Sequence, residues 1–284
     1  MNQHDDLTRR FESHRGQLRA TAYRMLGSGA EADDIVQEAW LRLERTDVSG
    51  VENLEAWLRT VLSRLCLDAL RTRGSRREEP LEQHAAPPTG EDGPEHEAVL
   101  IDSVGRAMLV VLDRLAPAER VAFVLHDLFA VPFDEIAPIV DRTPVAAKKL
   151  ASRARARVRG TSDVPDPART AERKVVEAFL AAARDGDLDA LLTVLAPNVV
   201  RRIAQPGRES VIEGADAVSR ETMVLGRGAR FAETALVNGS VGILVAPGGR
   251  LAVVLAVTVL GDRVAEYTVI TDPARLRELD LVLL

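Results

Sequence analysis

The sequence predicts a multidomain protein in which two all-α modules precede an α+β domain with a curved antiparallel sheet. Three observations carry this. Apolar residues recur at helical spacing through 7–77 and again through 98–160, and an acidic stretch bearing Pro and Gly separates the two. Beyond residue 168 helical patterns give way to strand alternation around an Asn-Gly turn signal. With 284 residues, 46% hydrophobic and 28% charged, the chain can bury such cores.

In the first regime, Phe11, Leu18, Ala22 and Met25 fall near helical spacing, and "GSGAEADD" breaks and caps that helix. Ile35, Val36, Ala39, Trp40 and Leu43 form the stripe of a second helix. A third runs from about Leu54 to Leu70, with Trp57, Leu58, Val61, Leu62 and Leu65 inward. The basic run "RTRGSRR" at 71–77 closes it and holds more arginine than a helix dipole uses, which points to phosphate contact. The stretch 78–97 is too acidic and too rich in Pro and Gly to form a core and reads as a linker.

The second regime, 98–160, has apolar runs at 99–115 and 119–129, then two helices meeting at "DRT". Phe133, Ile136, Ala137 and Val140 give the first of these its inward face, and Pro138 should break a backbone hydrogen bond inside it. Thr143 is suited to cap the second helix, with Pro144 in the first turn. That helix, "TPVAAKKLASRARARVRG", carries six basic residues and no acidic one in a chain of net charge −6. On a helical wheel Ala147, Leu150, Ala151, Ala154 and Val158 take one half of the circumference, and Lys148, Lys149, Ser152, Arg153, Arg155 and Arg159 the other. A membrane-surface helix would want large apolar anchors where this one has mostly alanine, and a merely solvated helix would mix in acids. The cap, the short turn and the preceding amphipathic helix make a helix-turn-helix, whose second helix reads duplex DNA in the major groove.

A connector at 161–167 leads to the third regime, 168–284. Helical patterns ("AERKVVEAFLAAARDGD", "LDALLTVLAP") come first. Ala235 and Val237 then precede the hairpin signal Asn238-Gly239, and Val241, Ile243 and Val245 resume the alternation. Residues 251–260 and "VAEYTVI" supply further strands. Every histidine (His4, His14, His84, His96, His126) precedes residue 130, so proton abstraction in this domain would rest on Asp, Glu or Tyr267 with a strongly shifted pKa. The sequence therefore names no catalytic residue, no metal ligand set and no cofactor. The single cysteine, Cys66, lies in an apolar run and reads as a buried hydrophobe. The chain shows neither an apolar run long enough to span a bilayer nor the h-region of a secretory signal, which predicts a cytoplasmic protein without a membrane partner.

"AEADDIVQEAWLRL" at 30–43 resembles the region 2 signature of extracytoplasmic-function sigma factors in the sigma-70 superfamily. "NLEAWLRTVLSRLCLDALRTRGSRRE" is similar to the segment that follows it there, and 112–160 is similar to region 4. The resemblance implies that residues 1–77 are region 2, a helical bundle, and that 98–160 are the region 4 helix-turn-helix. It implies as partners promoter DNA and core RNA polymerase, bound at its clamp helices and flap. Residue by residue, Asp33, Asp34, Gln37 and Glu38 would face the polymerase. Arg64, Arg71, Arg73, Arg76 and Arg77 would follow the −10 strand, and Thr143, Pro144, Lys148, Lys149, Ser152 and Arg153 would face the −35 groove. The linker 78–97 would thread toward the polymerase active site.

Residues 168–284 resemble the SnoaL-like domain, a cone-shaped barrel, that ends sigma factors of the SigJ-like group. There it implies a regulatory contact between the C-terminal domain and the sigma domains of the same chain. Gly207 and Arg208 match one motif of that group; Asp272, Pro273, Arg275 and Leu276 match another. The rival reading is an autonomous ligand-responsive regulator using the same helix-turn-helix, but it leaves "ADDIVQEAWLRL" without a role.

Overall fold

The computed structural model describes residues 3–47, 50–77, 105–160 and 166–284 except 206–207. The predicted linker 78–97 lies outside the described residues. Two compact units emerge: the described residues of Met1–Val104 with Leu112–Arg155, and Gly105–Val111 with Ala156–Leu284. This division does not follow the three composition regimes, because Gly105–Val111, most of helix Arg106–Leu112, groups with the C-terminal unit.

The first unit opens with helices Gln3–Leu26, Gly29–Arg45 and Leu54–Arg77. Ser28 caps the second by accepting a hydrogen bond from the Glu31 amide at 3.4 Å. Phe11, Leu18, Ala22 and Met25 are buried together with Val36, Ala39, Leu43, Leu58, Leu62 and Leu65, so each apolar stripe meets the next. Trp40 is only half-buried, its ring 4.9 Å from that of Phe11. The third helix does not stop at Leu70 but continues to Arg77.

Next come helix Pro117–Phe123, a π-turn over Val124–Leu128 and the short helix Phe133–Ile136. The sequence places Ala137 and Val140 inside that short helix, whereas the helix ends at Ile136. Pro138 has no N–H to donate, and the chain goes on in turns, with the Ile139 and Val140 amides both donating to the Ile136 carbonyl. Asp141 then takes φ of 54°, and the Arg142 amide reaches back to the Ala137 carbonyl at 3.0 Å. Helix Pro144–Arg159 follows, its first turn held by Thr143 Oγ1, which accepts from the Ala146 amide at 3.3 Å.

The second unit is an α+β domain. Helices Pro167–Asp185 and Leu188–Val194 precede strands β1 (Leu195–Gln205) and β2 (Arg208–Glu213). Helix Ala215–Leu225 is followed by β3 (Ala232–Val237), β4 (Ser240–Val245), β5 (Val253–Leu260), β6 (Arg263–Ile270), helix Pro273–Glu278 and β7 (Leu281–Val282). The strands form one sheet in the order β2-β1-β6-β5-β4-β3-β7, antiparallel except for the parallel pair β1–β6. Register irregularities in β1 and β5 bend it, as bulges do. Asn238 and Gly239, at φ of 51° and 87°, make the β3–β4 hairpin with Val237 opposite Ser240, the geometry a two-residue turn of this type needs. At Gly242 a Cβ would lie 2.7 Å from the Leu255 carbonyl oxygen, so only glycine lets β4 and β5 approach. Helix Pro167–Asp185 buries Val176, Phe179, Leu180 and Ala183 against the sheet's core.

Candidate nucleic-acid interface

Helix Pro144–Arg159 divides by physical role. Ala147, Ala151 and Ala154 are fully buried, and their small size lets this part of the helix lie close on the first unit; Val158, also fully buried, falls in the stretch grouped with the C-terminal unit. Thr143, Pro144, Lys148, Lys149, Ser152 and Arg153 are all exposed, at the N-terminal end and along one side. Val145, 67% exposed, is an apolar residue that sequence reasoning did not single out at this end. Arg155 departs from the basic face predicted for it. Its guanidinium makes two bonds to the buried Asp127 carboxylate, Nε at 2.7 Å and Nη2 at 3.0 Å, and that pairing raises its pKa further. Arg155 thus anchors the helix.

The arginines of helix Leu54–Arg77 have internal partners. Arg64 Nη2 donates to the Pro138 carbonyl at 3.1 Å, and Arg71 lies 3.6 Å from Asp68 and 3.9 Å from Asp141. Arg73 donates to the Leu26 carbonyl at 3.1 Å and pairs with Glu31. Arg59, absent from the sequence-based set, pairs with Glu135 at 2.6 Å. Arg76 and Arg77 end the helix, and their side chains lie outside the described residues.

On helix Gly29–Arg45 the four polar residues separate. Asp33 is held by Arg19 through two bonds of 2.6 and 2.9 Å, a structural pair, while Asp34 and Gln37 are exposed and Glu38 bonds Arg42 at 3.0 Å on the same surface. Arg120 escaped the sequence reading altogether. It is 2% exposed, reaches Asp113 at 3.3 Å, and burial pulls its pKa down to about 10 against the pull of that carboxylate. Its one sequence signal is its place in the apolar run "AERVAF". Cys66 is buried, and desolvation pushes its thiol up to about 12.

In the C-terminal unit, Gly207 lies outside the described residues, as does the Arg208 side chain; the Arg208 backbone begins β2. Asp272 caps helix Pro273–Glu278 by accepting from the Arg275 amide at 2.8 Å, with Pro273 in the first turn and Leu276 buried. The Glu233 carboxylate of β3 accepts from the amides of Arg106 and Ala107 at 2.9 and 2.8 Å, at the start of helix Arg106–Leu112. Among the described residues no cluster of three or more His, Cys, Asp or Glu could hold a metal ion, and no helix is long and apolar enough to cross a membrane.

Sigma-70 region 2 matches residues 10–76, and sigma-70 region 4 matches 105–158. The ECF RNA polymerase sigma factor SigJ of Mycobacterium tuberculosis is 40% identical over 251 residues, 82% of this chain and 78% of that protein. The crystal structure of the M. tuberculosis sigma factor SigJ covers 95% of this chain and 98% of its own at 35% identity, with a TM-score of 0.46. The probable ECF RNA polymerase sigma factor SigI of the same organism is 35% identical over 286 residues, 97% of each chain. Similarity of that extent along the whole chain, with both sigma-70 regions in order, shows that this protein belongs to the extracytoplasmic-function RNA polymerase sigma factors.

Proposed function

We propose that this sigma factor brings core RNA polymerase to its promoters through helix Pro144–Arg159, and that its C-terminal domain modulates that activity. The observation that carries the reading is the two-sided helix: four fully buried small residues beneath, and exposed Lys148, Lys149, Ser152 and Arg153 above. Lys and Arg there suit phosphate oxygens and guanine edges of the −35 duplex, and Val145 suits a thymine methyl. Arg64, Arg71, Arg73, Arg76 and Arg77 follow the single-stranded −10 element. To do so Arg64 and Arg71 exchange the Pro138 carbonyl and Asp141 for phosphate, a change that binding to polymerase would drive. Asp34, Gln37 and Glu38 form the surface for the clamp helices, with Asp33 positioning the helix through Arg19.

The acidic linker 78–97 follows the path toward the polymerase active site, and region 4 meets the flap. In this reading residues 1–77 and 98–160 act as separate modules on the polymerase, and 168–284 is a SnoaL-like domain in contact with the sigma domains. The Glu233 cap on the helix Arg106–Leu112 supports that contact. The protein acts in the cytoplasm and catalyses no reaction of its own. The test is promoter-dependent transcription by core polymerase with and without this chain. Initiation that requires the chain is the expected result; a chain that shifts duplex DNA alone and never supports initiation would favour an autonomous regulator instead.

A further inference from the structure

Beneath helix Ala215–Leu225 the C-terminal domain holds a charge that its own residues leave poorly served. Arg201 stands on the inward side of β1, opposite Tyr267 of β6 in the parallel register. Its side chain is 3% exposed, and its ion-pair partner is Glu221, a half-exposed carboxylate 3.7 Å away, beyond hydrogen-bonding distance. Among the described residues the Arg201 guanidinium makes no hydrogen bond. The Arg155–Asp127 pair shows the contrast: even with its arginine half-exposed, it makes two bonds of 2.7 and 3.0 Å. A buried guanidinium with unused planar donors is costly, and such a site is retained where something supplies the missing acceptors.

Two further groups stand on helix Ala215–Leu225, which also carries Glu221. Ser219 is fully buried on helix Ala215–Leu225, and its hydroxyl has no partner. One turn on, Thr222 Oγ1 donates to the Val218 carbonyl at 2.8 Å, so the 2.8 Å contact with Tyr267 is donated by the tyrosine. The phenolic oxygen of Tyr267 keeps its lone pairs. Around these groups the wall is apolar: Phe179, Val199 and Val257 are buried, with the Phe179 and Tyr267 rings 5.5 Å apart.

We propose that Arg201 anchors a small organic monocarboxylate with an apolar body in the C-terminal domain, with Ser219 as a second donor and the Phe179–Tyr267 wall against the body. One guanidinium balances one carboxylate in fork geometry. A phosphate dianion fits less well, because a single arginine leaves excess negative charge beside Glu221. The assignment goes beyond promoter recognition and is read on the chain without polymerase, so its failure would leave the sigma-factor reading untouched.

The probe is benzoate, with its neutral isostere benzamide and inorganic phosphate as comparisons, titrated into the full chain while thermal unfolding is followed. Benzoate should raise the midpoint saturably, and benzamide and phosphate should not. Arg201→Met should weaken the benzoate response about tenfold or more, the scale of a lost charged hydrogen bond. Arg201→Lys keeps the charge and loses the fork, so it serves if the Met variant fails to fold; it should weaken the response several-fold, and Ser219→Ala by less. Absence of a saturable benzoate effect at millimolar concentration overturns the proposal. So does an unchanged response in either folded Arg201 variant, or an equal response to benzamide. If Glu221→Gln destabilises the chain and benzoate still has no effect, Arg201 is half of a structural pair and nothing more.

Discussion

The two basic helices of the first unit use arginine and lysine in opposite ways. Helix Pro144–Arg159 gives Arg155 to Asp127 and leaves Lys148, Lys149, Ser152 and Arg153 exposed. Helix Leu54–Arg77 has Arg59, Arg64, Arg71 and Arg73 each against an acid or a carbonyl of the same unit. Charge count alone does not separate them. Under the proposed function, the surface assigned to the duplex is exposed while the one assigned to the single strand is satisfied internally, which fits an order in which −35 contact does not wait for −10 contact. The chain's net charge of −6 reinforces this, since affinity for phosphate depends on local rather than total charge.

The largest expected effect comes from removing the exposed set. Lys149→Ala with Arg153→Ala should cost about 2–6 kcal/mol of −35 recognition, one to three per lost contact, and cut promoter-dependent transcription by tenfold or more. Core binding, measured by co-elution with polymerase, should be unchanged; its loss would mean that this face also serves the polymerase. Next is the underside of the same helix. Ala151→Leu drives three extra heavy atoms into a fully buried position and should cost about 1–3 kcal/mol in denaturant unfolding. A variant as stable as the parent would show that the helix is not seated as closely as Ala147, Ala151 and Ala154 imply.

The arginine-bearing helix is probed from its buried side by Cys66. Its folded pKa of about 12 lies above the 9.0 of an unburied thiol, so its contribution is fully present below about pH 9 and is lost as pH rises toward 12. Unfolding free energy should fall by up to about 1.4 kcal/mol per pH unit in that window relative to Cys66→Ala, whose own loss of the buried sulfur's packing is pH-independent. A thiol reagent at pH 8 should label Cys66 only on unfolding. The smallest effect tests the internal partners. Glu135→Gln with Asp141→Asn should raise the affinity of the free chain for a single-stranded −10 oligonucleotide by about two- to fivefold, because half-exposed ion pairs contribute ~0–1 kcal/mol. Asn is chosen at 141 because it tolerates the φ of 54° there. Unchanged affinity would mean that those acids do not compete with DNA.

Patterns local to one helix or one turn were legible in the sequence. The Thr143 cap, the Asn238-Gly239 hairpin and the stripe Val36, Ala39, Leu43 each depend on residues within a few positions, and the structure has them where spacing put them. The break at Pro138 was readable for the same reason, although its consequence, a helix of only Phe133–Ile136, was sharper than the pattern suggested. The helical pattern "LDALLTVLAP" runs past the true end of its helix at Val194, since β1 begins at Leu195; 198–213 and 215–225 carry no clear pattern, because β1 mixes buried Val199 with a buried arginine and lacks clean alternation. The polar residues of the candidate surfaces were legible as types, and less so as partners.

Sequence by itself determined which helices exist, which of their faces are apolar, where the chain turns, and the order of regions that marks a sigma factor. Those properties follow from backbone propensity and hydrophobic period, which act over a turn or two. Tertiary structure decided that Asp33 belongs to Arg19, Arg155 to Asp127 and Arg64 to the Pro138 carbonyl, and that Arg201 is buried with a distant partner. Charged side chains are long, and their pairings join residues far apart in the chain. Only the fold fixes which acid or carbonyl comes within reach of which arginine, and how much water is left to compete for it.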